Sequence, residues 1–340
     1  MEYLQKKIFI TQRSLKYTYY TSSGGSTKKC PALFFIHGFP DSAHMWSDVI
    51  SSLRDLPNKI IVPDCLGYAG TDKPDDTRLY SYRGQADDLA DLLRNEHVDA
   101  AVIIGHDWGS PLVQRTYLYH RELFSGVVLV NTGYMIPSAQ QFDLKAVNEA
   151  TSKSLGYAQF AYWEFFTAPD AAEIVDANLE RMWLVLHGAE KDWMRKLFCV
   201  PNAMREFLLS DQHVPLRPYA TEDRWKQAFL QQFRRDGFAS TLQMYKATVS
   251  QVQSKSDSVV PANLAIEVPL LFIYCTQDAV CVSGMMDDAK SKGLVPKLTE
   301  VTLECAHWSP MEKPTEMAAH IREFLVNEVA KDVDLLASNN

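Results

Sequence analysis

Ala101-Val102-Ile103-Ile104-Gly105-His106-Asp107-Trp108-Gly109 is the stretch on which the fold turns. Its first four residues form an unbroken apolar run, as a strand covered on both faces requires, and helical spacing takes over across residues 108–120. Between them, Gly105-His106-Asp107-Trp108-Gly109 has the spacing of the elbow G-x-S-x-G. Small flanking residues there permit a strained strand-to-helix turn that projects the central side chain. The central residue here is Asp107.

Outward from this point the same signature recurs. Ala32-Leu33-Phe34-Phe35-Ile36, Ile60-Ile61-Val62, Val127-Val128-Leu129-Val130 and Leu270-Leu271-Phe272-Ile273-Tyr274 are further buried-strand runs, with helical spacing between some of them, as at residues 84–95. The alternation predicts an α/β fold with a doubly wound, mostly parallel sheet. Residues 8–20 alternate apolar and polar and Gly24-Gly25 supplies a turn, which predicts an antiparallel pair ahead of that sheet.

The alternation stops between Tyr134 and Asn263, where the pattern is helical and rich in aromatics: Tyr157, Phe160, Tyr162, Trp163, Phe165 and Phe166. Ser254-Lys255-Ser256-Asp257-Ser258 with Pro261 reads as a linker, and the strand pattern resumes at Val268. A core of residues 1–133 and 264–340 interrupted by a helical cap of residues 134–263 follows. The chain length of 340 agrees, being slightly more than one core supports. Residues 332–340 read as a frayed tail.

Composition excludes several classes. With 34 Lys+Arg against 42 Asp+Glu, a net charge of −8 and no basic run, neither nucleic acid nor an anionic membrane is an expected partner. The charged start Met1-Glu2-Tyr3-Leu4-Gln5-Lys6-Lys7 is no signal peptide, and no segment is apolar for long enough to cross a bilayer, so a soluble cytoplasmic protein is expected. The six cysteines, Cys30, Cys65, Cys199, Cys275, Cys281 and Cys305, form no CxxC pair, and no metal-ligand spacing occurs. Reduced thiols, no metal and no cofactor are expected, in a monomer or homodimer.

Asp at the elbow decides the chemistry. A serine attacking saturated carbon would leave an ether that water cannot cleave, whereas a carboxylate leaves an ester that a base and water can hydrolyse. Asp107 therefore points to an electrophilic sp³ carbon, an epoxide or an alkyl halide. The plain alternative is that Asp107 caps the helix that follows. Chain order then selects the partners: His307 in Cys305-Ala306-His307-Trp308 as the base, and Asp278, directly after the penultimate strand run, as the carboxylate behind it, with Asp287 and Asp288 as rivals. His37-Gly38-Phe39-Pro40-Asp41 lies after another buried strand. Its turn makes the N–H groups of Phe39 and Trp108 the expected oxyanion hole, with Pro40 a candidate for a cis bond.

These segments together resemble the soluble-type epoxide hydrolases of the α/β-hydrolase fold. The carriers are His37-Gly38-Phe39-Pro40 with Trp46, Pro63-Asp64-Cys65-Leu66-Gly67-Tyr68 with Pro74, the elbow, and Ala306-His307-Trp308 with Glu312-Lys313-Pro314. The resemblance covers nearly the whole chain and leaves no room for the phosphatase domain of some mammalian relatives. Ala69, and Ser110 after the elbow, depart from the glycines frequent there.

The resemblance implies Asp107 as nucleophile, Asp278 as charge partner and His307 as base. It also implies two cap tyrosines that bind and protonate the epoxide oxygen, at Tyr162 and Tyr245, with Tyr157 competing for the first place. Trp108, Phe39 and Trp308 are the expected substrate contacts, and the expected substrate is a hydrophobic epoxide, styrene-like, fatty-acid or secondary-metabolite in type. Haloalkane dehalogenases share the Asp elbow but typically carry Asn where Phe39 stands, and fluoroacetate dehalogenases use Arg in place of Trp108. Dehalogenation, and a non-catalytic ligand receptor on the same fold, are the alternatives to epoxide opening.

Overall fold

The structure is a computed structural model that describes residue 1 and residues 3–332. Eight strands form one sheet in the order β1-β2-β4-β3-β5-β6-β7-β8: β1 (Gln5–Ile10), β2 (Lys16–Thr21), β3 (Ala32–Ile36), β4 (Ile60–Pro63), β5 (Ala101–His106), β6 (Phe124–Val130), β7 (Leu270–Cys275) and β8 (Leu298–Leu303). The pairings β1–β2 and β2–β4 are antiparallel and the others parallel. The tail anticipated at residues 332–340 lies, beyond Asp332, outside the described residues.

All five apolar runs are strands, and the two faces of the sheet explain why no polar residue interrupts them. Leu33, Phe35, Val102, Ile104 and Val128 enter one hydrophobic cluster, while Phe34, Ile36, Ile103, Val127 and Leu129 enter the other. Each fully buried side chain contributes about 1.5–3 kcal/mol relative to exposure. The first cluster continues without a break into Tyr162, Trp163, Phe166 and Tyr245, so the helices between β6 and β7 share a core with one face of the sheet.

Two local expectations are corrected. The antiparallel pair turns at residues 11–15, where Thr11 N–H donates to Leu15 O (2.9 Å) and Ser14 takes φ 61°. Gly24-Gly25 instead lies in the loop leading to β3. The polar run Gln12-Arg13-Ser14 carried the turn signal. The supposed linker at Ser254 is helical through Asp257, in Val252–Asp257. Its polar residues have partners: Gln253 Oε1 accepts Tyr82 N–H (2.8 Å) and Ser256 Oγ accepts Arg83 N–H (2.7 Å), satisfying the first turn of the helix Tyr82–Asn95.

Between β6 and β7 the described residues form helices, with only an isolated bridge between Gly188 and Leu216. Both stems of this segment converge on Arg115, in the helix Gly109–Tyr119. Its guanidinium grips both oxygens of Asp257 (2.7 and 2.8 Å) and donates to Met135 O (2.6 Å), while Asp257 also accepts Ser138 N–H (3.0 Å). The Arg115 and Asp257 side chains are 3% and 8% exposed, which makes this a buried ion pair with its hydrogen bonds satisfied.

Candidate active site

Asp107 sits between β5 and the helix Gly109–Tyr119 with φ 53°, a left-handed conformation that costs a non-glycine residue about 1 kcal/mol or more. The turn is tight enough that a Cβ on Gly105 would meet Gly109 O at 2.5 Å. Across from it, a Cβ on Gly38 would meet Asp107 Oδ1 at 2.5 Å, so glycine there lets the loop after β3 approach the carboxylate. The Phe39–Pro40 peptide is cis. Phe39 N–H donates to Asp107 Oδ1 at 2.7 Å, and the Trp108 N–H follows one residue after Asp107.

Asp107 Oδ2 lies 3.5 Å from His307 Nε2, and His307 Nδ1 bonds Asp278 Oδ2 at 2.6 Å. Asp107 follows β5, Asp278 follows β7 and His307 follows β8, so residues far apart in sequence meet at the carboxyl end of the parallel sheet. Asp278 is fully enclosed and fully used. Oδ1 accepts the N–H groups of Val280 and Cys281 (2.9 Å each), and Oδ2 also accepts Asn131 Nδ2 (2.7 Å). Burial pushes its pKa up, but the His307 charge and these bonds outweigh burial and hold it below the ordinary value. For His307 burial lowers the pKa, and the charge of Asp278 with bonds to Asp107 and Asp278 outweighs it, leaving it well above 6.5.

A cavity of about 380 Å³ opens onto Asp107, lined by Trp108, Tyr162, Trp163, Phe142, Phe160 and Met285 among others. Trp163 packs against Phe142 and Phe160 in tilted ring contacts (interplanar 32° and 37°). Asp107 is the sole charged residue in its lining. The Tyr162 and Tyr245 rings meet edge to face at 5.8 Å, and Tyr245 stands 5.2 Å from the Trp108 ring. Both phenols have pKa values well above 10, through burial first and the negative charge of Asp107 in addition, so both keep their protons.

Two expected contacts, and the rival for the first cap tyrosine, lie elsewhere. The Phe39 ring packs among Phe166, Phe238 and Tyr245, and its N–H alone faces the site. Trp308 is behind His307, because its buried indole N–H needs an acceptor and finds Asp41 Oδ2 at 3.1 Å. It lines a second cavity of about 580 Å³ with Tyr157, whose hydroxyl donates to Ala279 O (3.0 Å) and whose ring carries Arg195 at 4.8 Å. Tyr157 is thus turned away from Asp107. Asp287 and Asp288 belong to the surface helix Asp287–Ser291 and pair with Lys290 and Lys292.

Sequence reasoning missed three residues around this centre. Asn131 holds Asp278 and also accepts Ser309 Oγ (3.0 Å); its position immediately after a buried strand was the available signal. His106 Nε2 donates to His307 O (2.8 Å), and burial lowers its pKa to about 4, so it is a neutral prop for the His307 loop. Asp41 accepts Trp308, and burial, with Asp107 adding, pushes its pKa up to about 7.

A carboxylate on a strand-to-helix elbow, a His–Asp pair facing it and a helical segment between β6 and β7 packed on the same core define the class: a hydrolase-type α/β protein. A family model described as alpha/beta hydrolase fold matches residues 31–314, and the chain belongs to that family. It is 28% identical over 306 residues to epoxide hydrolase A of Mycobacterium tuberculosis, covering 87% of this chain and 90% of that one. It is 24% identical over 301 residues to bifunctional epoxide hydrolase 2 of Rattus norvegicus, covering 88% of this chain but 52% of the rat protein, so the chain spans about half the length of that relative. The solved epoxide hydrolase A of Mycobacterium thermoresistibile superposes with a TM-score of 0.77 at 21% identity, over 96% of this chain and 99% of that one, a likeness of fold. No helix among the described residues is long and apolar enough to cross a membrane.

Proposed function

We propose that the protein hydrolyses an uncharged, hydrophobic epoxide to a vicinal diol through an ester on Asp107. The observation that carries this is an apolar cavity lined by Asp107 and Tyr162, with a histidine nitrogen 3.5 Å from that carboxylate and a second protonated phenol, Tyr245, packed behind Tyr162 at 5.8 Å between rings. The names of the relatives agree with it.

Asp107 attacks the less hindered epoxide carbon from the side opposite the C–O bond. The opening oxygen gathers negative charge and takes a proton from the pair Tyr162 and Tyr245, which supports epoxide over halide, since a leaving halide needs no proton. Before attack His307 is held as imidazolium by two carboxylates. Forming the ester removes the charge of Asp107, so the pKa of His307 falls, and the ring becomes a base at the moment a base is needed. The same loss lowers the phenol pKa values as the alkoxide forms. Water activated by His307, with Asp278 behind it, then attacks the ester carbonyl, and the oxyanion is received by the N–H groups of Phe39 and Trp108. Trp108, Trp163 and the rings tilted against Trp163 hold the apolar part of the substrate.

A single turnover in ¹⁸O-water tests the route. The diol should carry no label, because its new oxygen comes from Asp107; label entering the diol directly would sink the mechanism. Halide release from haloalkanes, run beside it, should stay at background.

A further inference from the structure

Beside the His–Asp pair lies a thiol for which the proposed reaction has no use. Asp278, Cys281 and His307 are all buried, and one donor atom from each, a carboxylate oxygen, Sγ and a ring nitrogen, lies within 4.8 Å of the other two. One short loop after β7 supplies two of the three donors, and the loop after β8 supplies His307. Asp278 Oδ1 accepts the N–H groups of Val280 and Cys281, which curls residues 278–281 and turns the thiol back toward the imidazole. Thr132 Oγ1 stands 3.3 Å from the same Sγ. Cys281 lines the 380 Å³ cavity with Thr132 and Asp107, while Asp278 and His307 line the 580 Å³ cavity, so the cluster lies between the two and its thiol faces the side that Asp107 faces.

We propose that Asp278, Cys281 and His307 form a binding site for a thiophilic closed-shell cation of the Zn²⁺ or Cd²⁺ kind, and that filling it stops turnover. The first half stands on the cluster alone; the second rests on the proposed role of His307. Thiolate, imidazole and carboxylate are the donors such cations take in tetrahedral sets, and a fourth position toward the cavity stays open to water. Hard cations such as Mg²⁺ require a shell of oxygens and find one carboxylate here. On binding, the S–H bond of Cys281 breaks, an S–metal bond forms and the proton leaves to solvent. His307, an imidazolium before binding, loses a ring proton to solvent at the same time, and the nitrogen so freed becomes a ligand. Either nitrogen is one the base needs: Nδ1 holds Asp278 at 2.6 Å and Nε2 faces Asp107 at 3.5 Å.

The full chain is titrated with Cd²⁺ in a Cys30→Ser background, because Cys30 is the one cysteine that is not buried. Equimolar, saturable binding with the ultraviolet charge-transfer absorbance of a thiolate–Cd²⁺ bond is expected, displaced by Zn²⁺ and untouched by Mg²⁺. Cys281→Ala should abolish the absorbance and weaken binding at least about tenfold, since loss even of an outer partner of a ligand costs that much. Cys281→Ser keeps the size of the side chain and guards against a folding defect, and His307→Gln, which keeps the thiol, should also weaken binding. Absorbance and affinity retained in both Cys281 variants would overturn the site. Zn²⁺ should inhibit diol formation, a chelator should restore it, and Cys281→Ala should raise the inhibitory concentration at least about tenfold relative to its own uninhibited rate. Diol formation persisting at saturating Zn²⁺ would overturn the inhibitory half. A protein that forms no diol at all would refute the proposed function, while the Cd²⁺ titration would still decide the site.

Discussion

Asp278→Asn separates the two half-reactions. In the native site Oδ2 receives two donors, His307 Nδ1 at 2.6 Å and Asn131 Nδ2 at 2.7 Å, and Oδ1 receives two backbone N–H groups. All four partners donate, so an amide cannot replace the carboxylate: its NH₂ group must face donors on one side or the other. The Oδ1 side is fixed by backbone, so the NH₂ falls on the side of His307, whose Nδ1 must then accept. The ring is forced into the tautomer with hydrogen on Nε2, which faces Asp107. That nitrogen can no longer take a proton from water. The same tautomer fault in a serine protease lowers kcat about 10⁴-fold, about 5.5 kcal/mol at 1.36 kcal/mol per decade, and a loss of that order is expected here in ester hydrolysis. Attack by Asp107 on the epoxide needs no base and should survive. Rapid mixing with a chromogenic epoxide should therefore give one equivalent of consumption followed by near arrest, and intact mass should show the substrate added to the protein. If both phases slow equally, or turnover falls less than about tenfold, the assignment of Asp278 and His307 as the hydrolytic pair is wrong.

Tyr162→Phe and Tyr245→Phe should each slow formation of the ester about 10²-fold or more, the range for general acid catalysis, and leave its hydrolysis nearly unchanged; single-turnover fluorescence of Trp108 reads the two phases separately. The His307–Asp278 pair also predicts a stability window. The raised pKa of His307 gives stability that is complete below about 6.5 and fades as pH rises through the folded value, while the lowered pKa of Asp278 gives stability present above about 4 and lost as pH falls through the folded value. Urea melts should show the gap between native protein and Asp278→Asn widest between those limits; a gap independent of pH would refute the ionised pair. Arg115→Met should cost about 3–5 kcal/mol by stranding the Asp257 charge, and adding Asp257→Leu should recover most of it. Recovery absent in the double variant would mean that Arg115 acts through its bond to Met135 O instead.

The sheet was legible because each of its central strands is apolar on both faces, a pattern that local sequence carries whole. The elbow was legible for a related reason, since Gly105 answers a steric demand within five residues, although Gly109 makes room for the backbone of Ile36 and His37. Polar stretches read less well. Ser254 to Ser258 has linker composition, yet Gln253 and Ser256 find the unpaired N–H groups of a helix 171 and 173 residues away, and the segment stays helical through Asp257. Chain order was enough to nominate His307 and Asp278, but their 2.6 Å bond exists because two parallel strands end side by side.

The direction in which each aromatic points was never in the sequence. Tyr157 lies only five residues before Tyr162 and competes with it for one role, and Trp308 sits beside His307 in the chain; the first turns to Ala279 O, the second faces the cavity and the third turns to Asp41. By itself the sequence determined the layers, the elbow and the kind of carbon a carboxylate there can attack, because those follow from side-chain chemistry and short-range sterics. Only the tertiary structure decided which phenols stand near that carboxylate and which thiol stands beside Asp278 and His307, because a buried polar group goes wherever its hydrogen-bond partner is, however distant in the chain.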